Sequence, residues 1–151
     1  MSWSARLTEL GIELPDVAKP LAAYVPAVRT GNLVHTSGQL PTKSGTLLQE
    51  GKVGAEVSAD DGKALARVSA LNALAAVHAL VGIDSIVRVV KVVGFVASAP
   101  GFNGQPAVIN GASELLGEVF GEAGAHARSA VGVSELPLNA PVEVELVVEI
   151  A

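Results

Sequence analysis

The sequence predicts an α+β fold in which two helices pack on one face of a mixed β-sheet. Three segments carry the prediction. Residues 59–81 repeat apolar side chains at helical spacing. Residues 85–98 are β-branched and apolar on both faces, which is typical of a central strand. Residues 142–149 alternate apolar residues with glutamates, which is typical of a strand with one open face. In chain order the elements alternate as β-β-(β)-α-β-α-β-β.

The N-terminal part, residues 1–21, is predicted to form a short helix followed by an irregular arm. Ser2 or Ser4 is the expected N-cap, and Gly11 follows the helix end near Leu10. Three prolines in "ELPDVAKPLAAYVP" make the arm irregular. The stretches "AVRT" and "LVHTSG" then form a predicted hairpin, with Gly31 and Asn32 at the bend.

The middle of the chain is predicted to begin with a loop at 41–51, within which a short strand is an open alternative, and a possible third strand, "KVGAEV". Ser58 is the predicted N-cap of the long helix, and Gly82 its stop. In the strand that follows, Arg88 and Lys91 are three residues apart and are therefore expected on opposite faces. A second helix in "AVINGASELLGEVFG" precedes two closing strands, 128–133 and 142–150.

Composition limits the classes of protein and partner that fit the chain. With 151 residues it matches one domain, predicted to span 1–151. It has no Cys and a net charge of −5 without a basic run, which disfavours a nucleic-acid partner. The N-terminus has no apolar signal core and no run of 18 apolar residues occurs, so we expect no membrane partner and a cytoplasmic location.

A homo-oligomer is expected on two grounds. Only 17% of the residues are charged, so a small domain of this composition has apolar surface to hide. Two helices cover one side of a sheet, whereas the central strand is apolar on both sides. Another subunit is the natural cover for the second side, which Glu143, Glu145 and Glu149 share.

The stretch "HARSAVGV", residues 126–133, contains a candidate anion site. In a strand, Arg128 shares one face with Ala130 and Gly132, whose small side chains leave room for a ligand. The arginine fork matches a carboxylate. Two alternatives are a surface arginine and an internal salt bridge to Glu143 or Glu145. Nearby His126 is a further candidate for lining the site.

The stretch "TSGQLP", residues 36–41, is a second candidate. Gly38 permits a close ligand approach, and the Ser37 hydroxyl is available for a polar molecule. The alternative is a strand that simply ends in a turn.

Together, "GNLVHTSGQLP" and "ARSAVGVSELPLNAPVEVELVVEIA" resemble the Rid family of enamine/imine deaminases, also called the YjgF/YER057c/UK114 family. The resemblance covers residue 22 to the C-terminus. It implies a chorismate-mutase-like fold and a homotrimer with a central barrel, with ligand sites in the clefts between subunits. It also implies hydrolysis of 2-aminoacrylate-like substrates to 2-oxo acids and ammonia, without metal or organic cofactor.

The resemblance also implies roles for individual residues. Arg128 matches the residue that binds the substrate carboxylate, and Glu143 the one that holds or activates water. The remaining matches line the pocket: Tyr24 closes it, Ser37 and Gly38 form its floor, Asn110 comes from the second helix, and Ala130 stands where many members have cysteine.

Three rival functions remain open from the sequence. One is a trimer that binds small carboxylates without turnover, and another is a ribonuclease, which the acidic charge disfavours. The third is a deaminase for a larger, aminomuconate-like acid. The N-terminal arm and the 42–57 connection are longer than in typical members and leave the substrate open.

Overall fold

The computed structural model describes residues 1–20 and 22–151 and has the predicted α+β architecture. Leu21, the last residue of the predicted N-terminal arm, lies outside the described residues. The helices are α1 (Trp3–Glu9), α2 (Ala59–Val81) and α3 (Gln105–Phe120). The strands are β1 (Ala27–Thr30), β2 (Leu33–Thr36), β3 (Thr42–Lys43), β4 (Thr46–Leu47), β5 (Ile86–Ala97), β6 (Ala127–Val133) and β7 (Val142–Ile150).

The main sheet has five strands in the order β1-β2-β7-β5-β6, and β3 pairs with β4 in a separate small ribbon. The sheet is mixed, because β5 and β6 run parallel while the other neighbouring strands are antiparallel. Parallel neighbours need a crossover connection, and α3 supplies it between β5 and β6. The strand that carries Arg128 is therefore at the sheet edge, directly beside α3.

Helices α2 and α3 cover one face of the sheet, as the sequence predicted. The Ser58 side chain accepts a hydrogen bond from the Asp61 amide, and α2 ends at Gly82, whose φ is 82°. Gly111 lies against the Lys63 backbone of α2, so closely that a Cβ at this position would collide with the Lys63 carbonyl. This absence of a side chain lets α2 and α3 approach each other and sets the depth of α3 over β6.

Helix α2 is long and apolar enough to cross a membrane by composition. In the structure it is a core helix: it packs on α3 and β7, and most of its apolar side chains are buried.

The N-terminal helix α1 is tied to the rest of the fold by its first residues. Ser2 is the N-cap, and its side chain accepts from the Ala5 amide. Ser4, the other candidate cap, instead donates its hydroxyl to Asp84. The Trp3 indole donates to the Ile86 carbonyl at 2.7 Å. The acceptors lie before β5 or at its first residue, so α1 closes that end of the fold.

Two local predictions are wrong. "KVGAEV" is a turn rather than a third strand: Val53 makes only isolated bridges, to Val57 and Ser98. In β5, a register shift between Val89 and Lys91 inserts an extra residue. Arg88 pairs with Glu149 and Lys91 with Val147, so the two cations share a face instead of opposing each other.

The two faces of the sheet differ as β7 predicted. Val142, Val144, Leu146, Val148 and Ile150 are buried under the helices. We call the opposite side the open face. It carries the three β7 glutamates together with apolar side chains from every main strand, and the latter are Val28, Leu33, Val93, Phe95, Val131 and Val147.

Candidate functional site

Arg128 points to the helix-covered side of the sheet. In the parallel pairing of β5 with β6 it is level with Val92, which is fully buried. Paired residues share a face, so Arg128 lies under α3 rather than on the open face. Ala130 and Gly132 follow on the same side, as the sequence predicted, level with Gly94 and Val96.

Helix α3 supplies three acceptors for the guanidinium of Arg128. Its Nη1 donates to Asn110 Oδ1 at 2.8 Å and to Ser113 Oγ at 3.2 Å. Its Nη2 donates to the Pro106 carbonyl at 3.4 Å. Asn110 and Ser113 lie three residues apart and therefore share one face of α3. Helix α3 thus fixes the orientation of the Arg128 guanidinium by binding its two Nη atoms.

His126 extends this group by one step. Its Nε2 is 2.9 Å from Ser113 Oγ, and its Nδ1 is 2.6 Å from the Gly124 carbonyl. We call Asn110, Ser113, His126 and Arg128 the arginine cluster. His126 precedes Arg128 by two residues, which places both side chains on the α3 side of the strand.

The floor beside Arg128 is made of small residues. Ala130 is half-buried and packs on the core, whereas Gly132 is exposed. The Gln105 amide covers Gly132, since a Cβ there would lie 2.7 Å from Gln105 Nε2. The small residues therefore leave room that Gln105 partly fills.

Glu143 lies on the open face and contacts Gly38, which follows β2. A Cβ at Gly38 would collide with the Glu143 carboxylate, so only glycine permits this approach. Gln39 holds the segment in place, because its backbone N–H and C=O both pair with Val144 of β7. Gly38 and Glu143 are thus brought together by backbone pairing rather than by a side-chain bond.

Burial raises the pKa of the Glu143 carboxyl above its ordinary value, and the neighbouring Glu145 carboxylate raises it further by charge repulsion. Glu145 is two residues along the same strand and on the same face. A carboxyl whose pKa is shifted upward gives up its proton less readily, which suits a group that exchanges protons near neutral pH.

Ser37 and Tyr24 complete this side of the molecule. The Ser37 hydroxyl donates to the Val25 carbonyl at 2.6 Å, and the Ser37 amide donates to the Pro26 carbonyl at 2.8 Å. These bonds hold the segment that carries Tyr24, whose side chain is 45% exposed. We call Ser37, Gly38 and Glu143 the glutamate cluster, and Tyr24 lies in the segment that Ser37 holds.

The two clusters lie on opposite faces of the sheet within one chain. Arg128 is on the helix-covered face, whereas Glu143, level with Phe95, is on the open face. The alternative of an internal salt bridge from Arg128 to Glu143 or Glu145 is therefore wrong. The ion pairs among residues 1–20 and 22–151 do not include Arg128. One chain thus brings Arg128 together with Asn110, and Glu143 together with Gly38, but does not join the two groups.

A hollow of about 610 Å³ opens beside the first residues of β2, β5 and β6 and the last residues of β7. It contains neither Arg128 nor Glu143, although His126 borders it. Its lining is Leu33, Arg88, Val90, Ala125, His126, Ala127 and Glu149.

Ser113 and Gln105 were not singled out from the sequence. The signal for Ser113 was the three-residue spacing from Asn110, which becomes informative only once α3 is known to pack over β6. Gln105 precedes the segment "AVINGASELLGEVFG" that was predicted to be helical, whereas α3 begins at Gln105 with Pro106 in its first turn.

Comparison with known proteins identifies relatives over almost the whole chain. Residues 4–150 match the family described as "YjgF/chorismate mutase-like, putative endoribonuclease". Protein TCP17 of Trypanosoma cruzi is 45% identical over 149 residues, covering 97% of this chain and 93% of that protein. A 2-iminobutanoate/2-iminopropanoate deaminase of Dermatophagoides farinae is 33% identical over 140 residues, covering 92% of this chain and 94% of that protein.

A solved structure of a protein of unknown function from Agrobacterium tumefaciens has the same fold. Its TM-score is 0.91 and its identity 46%, with 99% of this chain and 92% of that chain covered. Such a superposition includes α1 and the 42–57 connection, which the sequence suggested were unusual.

Proposed function

Because the chain belongs to the YjgF/chorismate mutase-like family, the Rid family of the sequence motifs, we propose that it hydrolyses reactive enamines and imines of small 2-amino acids to 2-oxo acids and ammonia. The observation that carries the proposal is the arginine cluster. It presents a guanidinium whose orientation is set by α3, and this is the chemistry needed to bind a substrate carboxylate.

The assembly proposed for this activity is a homotrimer with its sites between subunits. The arginine and glutamate clusters lie on opposite faces of one sheet, so they can act on one substrate only if they come from different copies. The open face supports the same assembly, since Val28 and Val131 are 53% and 45% exposed on it. A second copy would bury these side chains and bring its glutamate cluster to the edge strand β6.

Substrate capture is the role of Arg128. A guanidinium has five N–H donors, and three are engaged by Asn110, Ser113 and Pro106. Within the described part of the chain this leaves two donors for a ligand, which is the number that a bidentate carboxylate accepts. Fixing the carboxylate also orients the adjacent imine carbon, and this removes entropy from the barrier to attack.

Water activation is the role of Glu143 in this proposal. In its ionised form the carboxylate accepts a proton from water as the oxygen attacks the imine carbon. The raised pKa then lets the protonated carboxyl return that proton to the departing nitrogen.

The atoms balance without any further reactant. The enamine 2-aminoacrylate takes a proton at its terminal carbon and gives one up from its nitrogen, and so becomes its tautomer 2-iminopropanoate. Water adds to the C=N carbon, a C–O bond forms, and the C–N bond of the resulting carbinolamine breaks. The products are pyruvate and ammonia.

A coupled assay tests the proposal. A pyridoxal-phosphate-dependent dehydratase generates 2-aminoacrylate, and pyruvate release is followed with and without the protein. We expect the wild type to accelerate release, and Arg128→Ala to lose about 10- to 100-fold in kcat/KM, the equivalent of one charge-assisted contact. The exposed variant Glu114→Gln, on the same helix, is the matched control.

Failure of the wild type to accelerate pyruvate release, or full activity in Arg128→Ala, would contradict the proposal. If the protein only binds small carboxylates, pyruvate should bind equally well to the wild type and to Glu143→Gln, and neither should turn over 2-aminoacrylate. A larger acid is the other alternative, and the small floor of Ala130 and Gly132 beside Arg128 is the feature that would accept one.

A further inference from the structure

The geometry points to Ser113 and His126 as positioning residues that hold Arg128 ready for the substrate carboxylate. The inference rests on the proposed function of the arginine cluster and adds two residues to which neither motif assigned a role. Its basis is a continuous chain of hydrogen bonds that runs from β6 to α3 and back to the segment before β6.

The direction of every bond in this chain follows from chemistry. A carbonyl oxygen only accepts, so His126 Nδ1 carries the proton that it shares with the Gly124 carbonyl, at 2.6 Å. In the neutral ring Nε2 is then the acceptor. The Ser113 hydroxyl, 2.9 Å away, therefore donates to Nε2. This leaves the lone pairs of Ser113 Oγ for Arg128 Nη1 at 3.2 Å.

His126 thus determines what Ser113 can do. A serine inside a helix ordinarily turns its hydroxyl back to the carbonyl four residues earlier. Here the hydroxyl donates its hydrogen bond to the His126 imidazole instead, so the Ser113 oxygen faces the Arg128 guanidinium as an acceptor. Hydrogen bonds in such a chain polarise one another, and Ser113 becomes a better acceptor for a cation than an isolated hydroxyl.

Two acceptors at one nitrogen fix the plane of the guanidinium. Nη1 has two hydrogens, and Asn110 and Ser113 each take one. Without Ser113, the head group is held by the Asn110 bond and by the longer, 3.4 Å bond from Nη2 to the Pro106 carbonyl, and it can rotate more freely. With Ser113 as well, rotation breaks a bond, and the donors left for the substrate keep one orientation. Preorganisation of this kind increases affinity by lowering the ordering cost of binding.

The arginine cluster is assembled from two short sequence patterns. On α3, Asn110 and Ser113 are three positions apart. On the β6 side, His126 and Arg128 are two positions apart. The helical and strand periods place each pair on the surface where α3 crosses β6. His126 is half-buried there and lines the same hollow as Arg88 and Glu149.

Two variants test the inference, Ser113→Ala and His126→Phe, and Ser113→Thr is the conservative form of the first, because it keeps the hydroxyl. Pyruvate is the binding probe, its Kd is measured by calorimetry, and the coupled assay gives KM and kcat. We expect Kd and KM to rise about tenfold together in both variants, which corresponds to about 1.4 kcal/mol, while kcat stays within about twofold. Ser113→Thr should retain the wild-type Kd.

A purely structural role would look different. It would lower the melting temperature and kcat without the selective rise in Kd, and that result would overturn the inference. So would an unchanged Kd in a folded Ser113→Ala or His126→Phe variant, or a Ser113→Thr variant as weak as Ser113→Ala. Glu114→Gln, which pairs with Lys63 away from Arg128, serves as the control on the same helix.

The binding measurement separates this inference from the proposed function. If the wild type binds pyruvate through Arg128 but does not turn over 2-aminoacrylate, the deaminase proposal fails and the Ser113 and His126 variants still decide the positioning role. If turnover depends on Arg128 but not on Ser113 and His126, only the positioning role fails.

Discussion

The arginine cluster and the glutamate cluster are built in contrasting ways. Arg128 is oriented by explicit hydrogen bonds to α3, and its neighbours fit a hydrogen-bonded chain. Among the described residues no side-chain hydrogen bond holds Glu143; the glycine at position 38 leaves space for it, and burial together with the neighbouring Glu145 carboxylate raises its pKa. The contrast shows two different requirements of a site. A permanently charged group must be held in one orientation, whereas a group that exchanges protons must have a suitable pKa.

The contrast also explains why each cluster depends on a different part of the fold. The arginine cluster forms only if α3 packs close to β6, so its geometry depends on the packing of α3 against α2. The glutamate cluster requires only the backbone pairing of Gln39 with Val144 and the space at Gly38. Changes that act on one cluster should therefore leave the other intact.

The largest effect is expected from Glu143→Gln, which removes proton transfer while preserving shape. We expect kcat to fall about 100-fold or more, because general acid–base catalysis contributes at least that much, with the Kd for pyruvate little changed. The coupled assay and calorimetry measure the two quantities. A kcat equal to that of the wild type would show that Glu143 does not move the proton.

The same variant also probes stability against pH. A carboxyl whose pKa is raised in the folded state contributes stability that is fully present below its unfolded pKa and is lost as pH rises through the folded value. Relative to Glu143→Gln, the wild type should therefore lose unfolding free energy as the pH rises above about 4, the ordinary value of a glutamate. Denaturant titrations at several pH values measure this difference, and a difference that is constant with pH would contradict the raised pKa.

The next largest effect is expected from Gly111→Ala, which acts on the arginine cluster through packing. The new Cβ would collide with the Lys63 carbonyl, so α3 must move away from α2. We expect a loss of about 1–3 kcal/mol in unfolding free energy, together with weaker pyruvate binding. Thermal and denaturant unfolding measure it.

Gly117→Ala is the matched control on the same helix. No atom lies within 4 Å of a Cβ at this position, so alanine should stabilise α3 by about 0.5–1 kcal/mol. Equal stability changes in the two variants would mean that Gly111 does not limit the approach of the helices.

The smallest effect on stability is expected from Gly38→Ala, which acts on the glutamate cluster alone. Its Cβ would meet the end of the Glu143 side chain, which can swing aside at little cost to the fold. We expect unfolding free energy to change by less than about 0.5 kcal/mol, as at a tolerant surface position, while kcat falls about tenfold or more. A large loss of stability, or an unchanged kcat, would show that the approach of Gly38 to Glu143 has another purpose.

Much of this arrangement could be predicted from residue periodicity. The alternation of 142–149 placed Glu143 and Glu145 on the open face, and the small residues after Arg128 placed it with Ala130 and Gly132. Helix α2 runs over the predicted range with the predicted cap at Ser58. These predictions held because each depends on the local period of one element.

The errors come from features that have no local period. The extra residue in β5 depends on how that strand pairs with β7, so the shared face of Arg88 and Lys91 could not be predicted from spacing. The same applies to "KVGAEV". Its valines are buried like strand residues, but its backbone forms a turn in which Val53 makes isolated bridges instead of a strand ladder.

By itself the sequence determined the main helices and strands, the faces of β6 and β7 and the membership of the Rid family, because helix and strand periods and short motifs are properties of contiguous residues. Only the tertiary structure decided that Arg128 and Glu143 lie on opposite sides of one sheet, and that Ser113 joins His126 to Arg128. Both facts depend on which strand pairs with which and where α3 crosses β6, and such contacts between distant segments form only when the chain packs.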